Sequence, residues 1–111
     1  MIRIDGRTIS VTQSNSGSIA FRMYGPDRKA FDLAGFTLIF MVKKSRKDPD
    51  SAAIIHKVVA PTEGNIATFD LLPADTRKPI ATYWWGVQLV KGEYINEFAS
   101  GPFYIKDGVF S

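Results

Sequence analysis

Residues 81–105, ATYWWGVQLVKGEYINEFASGPFYI, read as two β-strands joined by a tight turn, and the rest of the chain is best read outward from them. Successive strand side chains point to opposite sides of a pleat, so Tyr83, Trp85, Val87 and Leu89 share one apolar face that suits a core. Val90, Lys91, Gly92 and Glu93 reverse the chain, with Gly92 supplying the positive φ that a two-residue hairpin loop needs; a β-rich run resumes at Tyr94. Trp84 is adjacent to Trp85 and must therefore face the other way, with Gly86 and Gln88. That face holds either a contact for a partner or sugar, or a Trp84 tucked beneath a neighbouring loop.

Five further segments have strand character. Residues 7–13, RTISVTQ, form a β-branched run that ends in the turn cluster Ser14, Asn15, Ser16 and Gly17. Residues 18–24 alternate, with Ile19, Phe21 and Met23 opposite Arg22, until Gly25, Pro26, Asp27 and Arg28 break the run. Residues 36–44, FTLIFMVKK, are apolar on both faces, the pattern of a central strand covered on both sides. Residues 52–60 and 64–72 read as a pair joined by a hairpin loop at Pro61, Thr62, Glu63 and Gly64. Residues 73–76, PADT, read as one helical turn, which Pro79 keeps short.

Seven or so short strands with turn signals between them, and no amphipathic helix, predict an all-β protein. We expect one domain over residues 1–111, an immunoglobulin-like β-sandwich of about seven antiparallel strands. Two usual markers of that sandwich are not met: the chain has no cysteine, and its tryptophans sit in a late strand. A hydrophobic fraction of 45% and an aromatic fraction of 13% suit a folded chain, because disordered segments are poor in both.

The net charge of +3 lies in the first half, mostly in Lys43, Lys44, Arg46 and Lys47. Asp48, Pro49 and Asp50 follow at once, so the group reads first as a solvated loop and second as a phosphate-binding patch. The N-terminal residues alternate charge with aliphatics, without the apolar stretch of a secretion leader, and no run approaches the roughly 18 residues of a membrane span. The expectation is a soluble chain made in the cytoplasm, with no membrane partner.

No reaction chemistry is legible. His56 is the sole histidine and sits in an apolar run without a second nitrogen or sulfur ligand nearby. Nucleophile-elbow and phosphate-loop motifs are missing, and most of the acids fall in turns, where they cap local amides. The sequence predicts no catalytic, metal or cofactor residues. The candidate interaction surface is Trp84 and Gln88 together with Lys43, Lys44, Arg46 and Lys47.

Leu71-x-Pro73-x-Asp75-Thr76, then Tyr83-x-Trp85-x-Val87-x-Leu89, a turn, and Gly101-Pro102-Phe103-Tyr104-Ile105 together resemble small immunoglobulin-like domains of phage structural genes. The nearest family is the N-terminal domain of phage baseplate upper proteins and related prophage proteins. Gly35-Phe36-Thr37 opening a strand that closes in Val42-Lys43-Lys44, and Gly64-Asn65-Ile66 opening the next, extend the likeness over most of the chain. The resemblance implies a non-enzymatic tail, baseplate or head-tail component in a virion, held by contacts with other phage structural proteins. Baseplate upper proteins continue into a long C-terminal part whereas this sequence stops at Ser111, so a free-standing component is expected. Homo-oligomers, with edge strands as contacts, would suit such a part. Two other readings are carried beside it: a carbohydrate-binding or adhesion module using Trp84, and a small basic barrel that binds nucleic acid.

Overall fold

The computed structural model describes residues 2–5, 7–24, 27–60 and 64–108, with side chains from Arg7 onward. Among these residues the protein is all-β. Its strands are β1 (Ile2–Asp5), β2 (Thr8–Thr12), β3 (Gly17–Arg22), β4 (Thr37–Lys43), β5 (Ile55–Val59), β6 (Ile66–Leu71), β7 (Ala81–Lys91) and β8 (Tyr94–Lys106). A 3-10 turn covers Asp50–Ala52, and the helical turn expected at residues 73–76 is α1 (Pro73–Thr76).

Six strands form one curled sheet in the order β1-β2-β8-β7-β4-β5, and β3 pairs with β6 in a second, two-stranded sheet. The described residues hold eight strands, against the seven or so expected. Two expectations are corrected here. The large sheet is mixed and not all antiparallel, because β2 runs parallel to β8 with Ile9 opposite Phe103 and Val11 opposite Ile105. Residues 52–72 do not make a hairpin: β5 pairs with β4 in the large sheet, whereas β6 pairs with β3 in the small one. Alternation reports which side chains face the core, not which strand lies next door, and a chain that switches sheets shows the same pattern as one that turns back. The expected loop residues Pro61, Thr62 and Glu63 lie outside the described residues, as do Gly25 and Pro26 of the earlier break.

The core lies between the two sheets. Leu38, Phe40 and Val42 of β4 are buried against Ile19 of β3 and Phe69 of β6, as are all four predicted positions of β7, Tyr83, Trp85, Val87 and Leu89. Phe21 bridges the sheets, its ring centroid 5.4 Å from Trp85, 5.9 Å from Phe69 and 6.2 Å from Phe40. Each such ring removed from water is worth about 1.5–3 kcal/mol, so without a disulfide this aromatic cluster is the main cross-sheet bond. β4 is covered on one side only: Ile39 and Met41 are half-buried on the open face, which corrects the expectation of a strand covered on both sides.

Polar fastenings close the ends. Tyr83 Oη donates to the Pro79 carbonyl at 2.6 Å, and the buried Thr76 hydroxyl donates to the Asn15 carbonyl at 2.7 Å. Asp75 in α1 accepts from the Leu72 amide and pairs with Lys57 of β5, each at 2.7 Å, tying the end of β6 to an edge of the large sheet. The β7–β8 loop is Gly92–Glu93, with φ +61° at Gly92, as the sequence predicts.

Candidate functional site

The outward faces of the two sheets differ. The small sheet shows water Ser18, Ala20 and Arg22 beside Thr68, Asp70 and the 46% exposed Ile66, a surface that is mostly polar. On the large sheet, the pairing registers place Trp84 beside Lys43, Gly86 beside Met41, and Gln88 beside Ile39, which in turn faces Val58 of β5. Towards the hairpin tip, Val90 stands opposite Ile95, which is 62% exposed. Exposed and half-buried apolar side chains on β5, β4, β7 and β8 are thus interspersed with Gln88, Glu97 and Ser100 on a face over which, among the described residues, only the Arg46 side chain is seen to lie. Apolar groups gathered on one open face mark contact surfaces.

A β-bulge shapes this face. Val87 pairs with Ala99 but Gln88 pairs with Glu97, leaving Phe98 as the extra residue. Before the bulge Gly101, Phe103 and Ile105 point inward; past it the parity reverses, so Glu97 and Ile95 turn outward and Phe98 packs against the core. Strict alternation back from Phe103 would put the Glu97 carboxylate in the core. That conflict is the signal by which Glu97, unmarked in the sequence reading, could have been found.

A groove of ≈ 430 Å³ runs over β4, β7 and β8, floored by Met41, Gly86 and Ser100. At one end the Arg46 guanidinium stacks on the Trp84 ring, 4.5 Å from its centroid. Glu97, paired with Gln88, leans over the middle of the groove; its Oε1 stands 3.3 Å from where a Cβ on residue 86 would sit. Gln88, Glu97 and Ser100 make no side-chain hydrogen bond among the described residues, so their polar atoms are open to an occupant.

Of the predicted surface residues, the fold gathers Trp84, Gln88, Lys43 and Arg46 along this groove, while Lys44 and Lys47 are exposed outside its lining. Lys43 Nζ is already held, by the Asp50 carboxylate at 2.6 Å and the Asp48 carbonyl at 3.0 Å, and the Ser45 amide donates to Asp48. Residues 43–50 therefore form a self-bonded loop whose Arg46 covers the indole. His56 is exposed on β5, and among the described residues no three His, Asp or Glu side chains converge as metal ligands. No helix of the described chain is long and apolar enough to cross a membrane.

Fold and face together define an all-β, two-sheet domain with one open amphipathic surface. Compared with known protein families, curated proteins and solved structures, the chain matches none.

Proposed function

We propose that this chain is an immunoglobulin-like structural module of a phage or prophage particle, non-enzymatic, that works by protein contact through the open face of its large sheet. Two features support the immunoglobulin-like reading. The order β8-β7-β4-β5 beside a β3-β6 pair follows the G-F-C-C′ and B-E arrangement of such domains. Tyr83, near the start of β7, bonds back to the Pro79 carbonyl four residues upstream, the form of a tyrosine corner. Trp85 stands two residues on, where those domains place a cysteine, and it meets Phe21 of β3 as the cystine partner would.

The observation that carries the contact reading is the greater apolar exposure of the large sheet, lined by Trp84, Met41, Ile39, Val58 and Ile95, against a small-sheet surface that is polar apart from Ile66. The phage setting itself comes from the sequence resemblance. Co-expression with the products of flanking genes tests both: the reading expects a tail or baseplate protein to co-purify, and to be lost with Met41→Asp. Flanking genes without any tail or head component would sink the setting.

The unbonded Gln88, Glu97 and Ser100 side chains favour a carbohydrate module as second reading, although Arg46 already occupies one face of the Trp84 ring. Glycan-array binding lost in Trp84→Ala would support it. For the nucleic-acid reading, Lys43 is paired with Asp50, which leaves Lys44, Arg46 and Lys47 beside the single acid Asp48 in the cluster.

A further inference from the structure

We infer that the occupant of the open face is a protein segment that sets an arginine side chain into a notch at Gly86, against the Glu97 carboxylate. The inference deepens the contact reading above and rests on it, but not on the phage setting. Its first observation is that the fold does not ask for a glycine at position 86. Gly86 lies in the middle of β7, between β4 and β8, and its φ is not positive. A Cβ there would meet the Ala99 carbonyl at 3.8 Å and the Ser100 Cβ at 4.0 Å, both ordinary contacts, and Glu97 Oε1 at 3.3 Å. That last atom ends a flexible, exposed side chain and can give way. Gly101 on β8 is different, since a Cβ there would run into the backbone of Arg7. Glycine weakens a strand interior, and where neither a turn nor the chain's own packing requires one it marks a place that something else approaches closely.

The chemistry of the notch follows from its neighbours. Met41 and Ser100 stand beside Gly86 on β4 and β8, and Trp84 and Gln88 flank it along β7. Glu97, turned outward by the bulge, holds its carboxylate over the gap. That carboxylate is in no ion pair among the described residues, whereas Lys43 is held by Asp50 and the Arg46 guanidinium lies on the Trp84 ring. The charge that complements the notch is therefore a cation. Arginine suits it better than lysine: its planar fork takes both oxygens of a carboxylate, and its remaining N–H groups match acceptors such as the Gln88 carbonyl and the Ser100 hydroxyl. Its methylene stem can lie on Met41, as long cationic side chains do on apolar surface. An arginine anchored in a depression, with apolar contacts around it, is a common form of interface hot spot.

NMR titration of the full chain with N-acetylarginine amide at fixed ionic strength is the test, with N-acetylcitrulline amide as a probe of nearly the same shape and no charge. The arginine probe is expected to give saturable shifts centred on the amides of Gly86, Gln88 and Glu97, with the millimolar affinity that one exposed ion pair implies. Citrulline should bind at least about threefold more weakly, and Glu97→Gln should bring arginine down to the citrulline level. Gly86→Ala should weaken the arginine probe while melting no lower than the native chain, and Gly86→Leu, which fills the notch, should abolish binding. The inference is overturned by the lack of a saturable shift up to about 100 mM, by equal binding of citrulline, or by binding that Glu97→Gln and Gly86→Ala leave unchanged. A flanking-gene product that co-purifies, is lost with Met41→Asp and is kept by Glu97→Gln leaves the contact reading standing and overturns the notch alone.

Discussion

The indole nitrogen of Trp85 donates to the carbonyl of Arg7 at 2.8 Å, joining β7 to the β1–β2 turn across 78 positions of sequence. It reaches that carbonyl because residue 101, directly opposite Trp85 on β8, has no side chain. A Cβ on Gly101 would lie 2.2 Å from the same oxygen, a distance that forces backbone to move.

Gly101→Ala is therefore expected to destabilise by about 1–3 kcal/mol, the usual range for overpacking a filled core, and to do so by lifting the β1–β2 turn. Urea denaturation gives the magnitude. Hydrogen exchange should locate the loosening in residues 2–12; uniform loosening would contradict the mechanism. Trp85→Phe removes the donor and part of the ring, and should cost at least about 1 kcal/mol.

Tyr83 gives a prediction at high pH. Burial raises its pKa above the ordinary 10.0, so the folded chain keeps the phenolic proton to higher pH than the unfolded one. Below pH 10 both states are protonated and the site adds no pH dependence; above it the unfolded chain ionises first and stability falls. Tyr83→Phe should lose about 1 kcal/mol at neutral pH with its bond to Pro79, and should flatten part of the alkaline decline. An alkaline profile identical to that of the native chain would refute this account.

Asp75 acts at the acid end. Burial alone would raise its pKa, but the hydrogen bond from Lys57, the Leu72 amide and the charges of Lys57 and Lys78 outweigh it and hold the carboxyl below 3.8. The stability it contributes is present above the ordinary carboxylate pKa and is lost as pH falls from there through the folded value. Asp75→Asn should cost about 1 kcal/mol at pH 7, with a shallower acid limb between roughly pH 5 and 2. Thermal melts across that window check both.

Arg46 shields the Trp84 ring, so Arg46→Ala should increase iodide quenching of tryptophan fluorescence while Trp85, 4% exposed, stays protected. Stability should change by less than about 1 kcal/mol, the scale of an exposed cation–π pair. Quenching unchanged from the native chain would mean that Trp84 is covered by something else.

Much of this architecture was legible because strand periodicity is a local property. The alternation of Tyr83, Trp85, Val87 and Leu89 against Trp84, Gly86 and Gln88 correctly separates core from open face, and Ala67, Phe69 and Leu71 against Thr68 and Asp70 do the same in β6. Harder to see was β1, four residues too short to stand out from an N-terminus of alternating charge. The bulge at Phe98 escaped as well, because its inversion of parity shows only when Gln88 is set against Glu97.

The groove shows the same division. Trp84, Gln88, Lys43 and Arg46 were identifiable as residues that a core could not absorb, but Glu97 enters only through the bulge and Met41 only through the β4–β7 register. By itself the sequence determined the strands and their buried faces, since these follow from a two-residue repeat and from turn chemistry within a few positions. Tertiary structure alone decided that β2 runs parallel to β8, that β5 and β6 part into different sheets, and that a guanidinium and a carboxylate come to share one groove. Those outcomes depend on which distant strands share hydrogen bonds, and no local pattern encodes that choice.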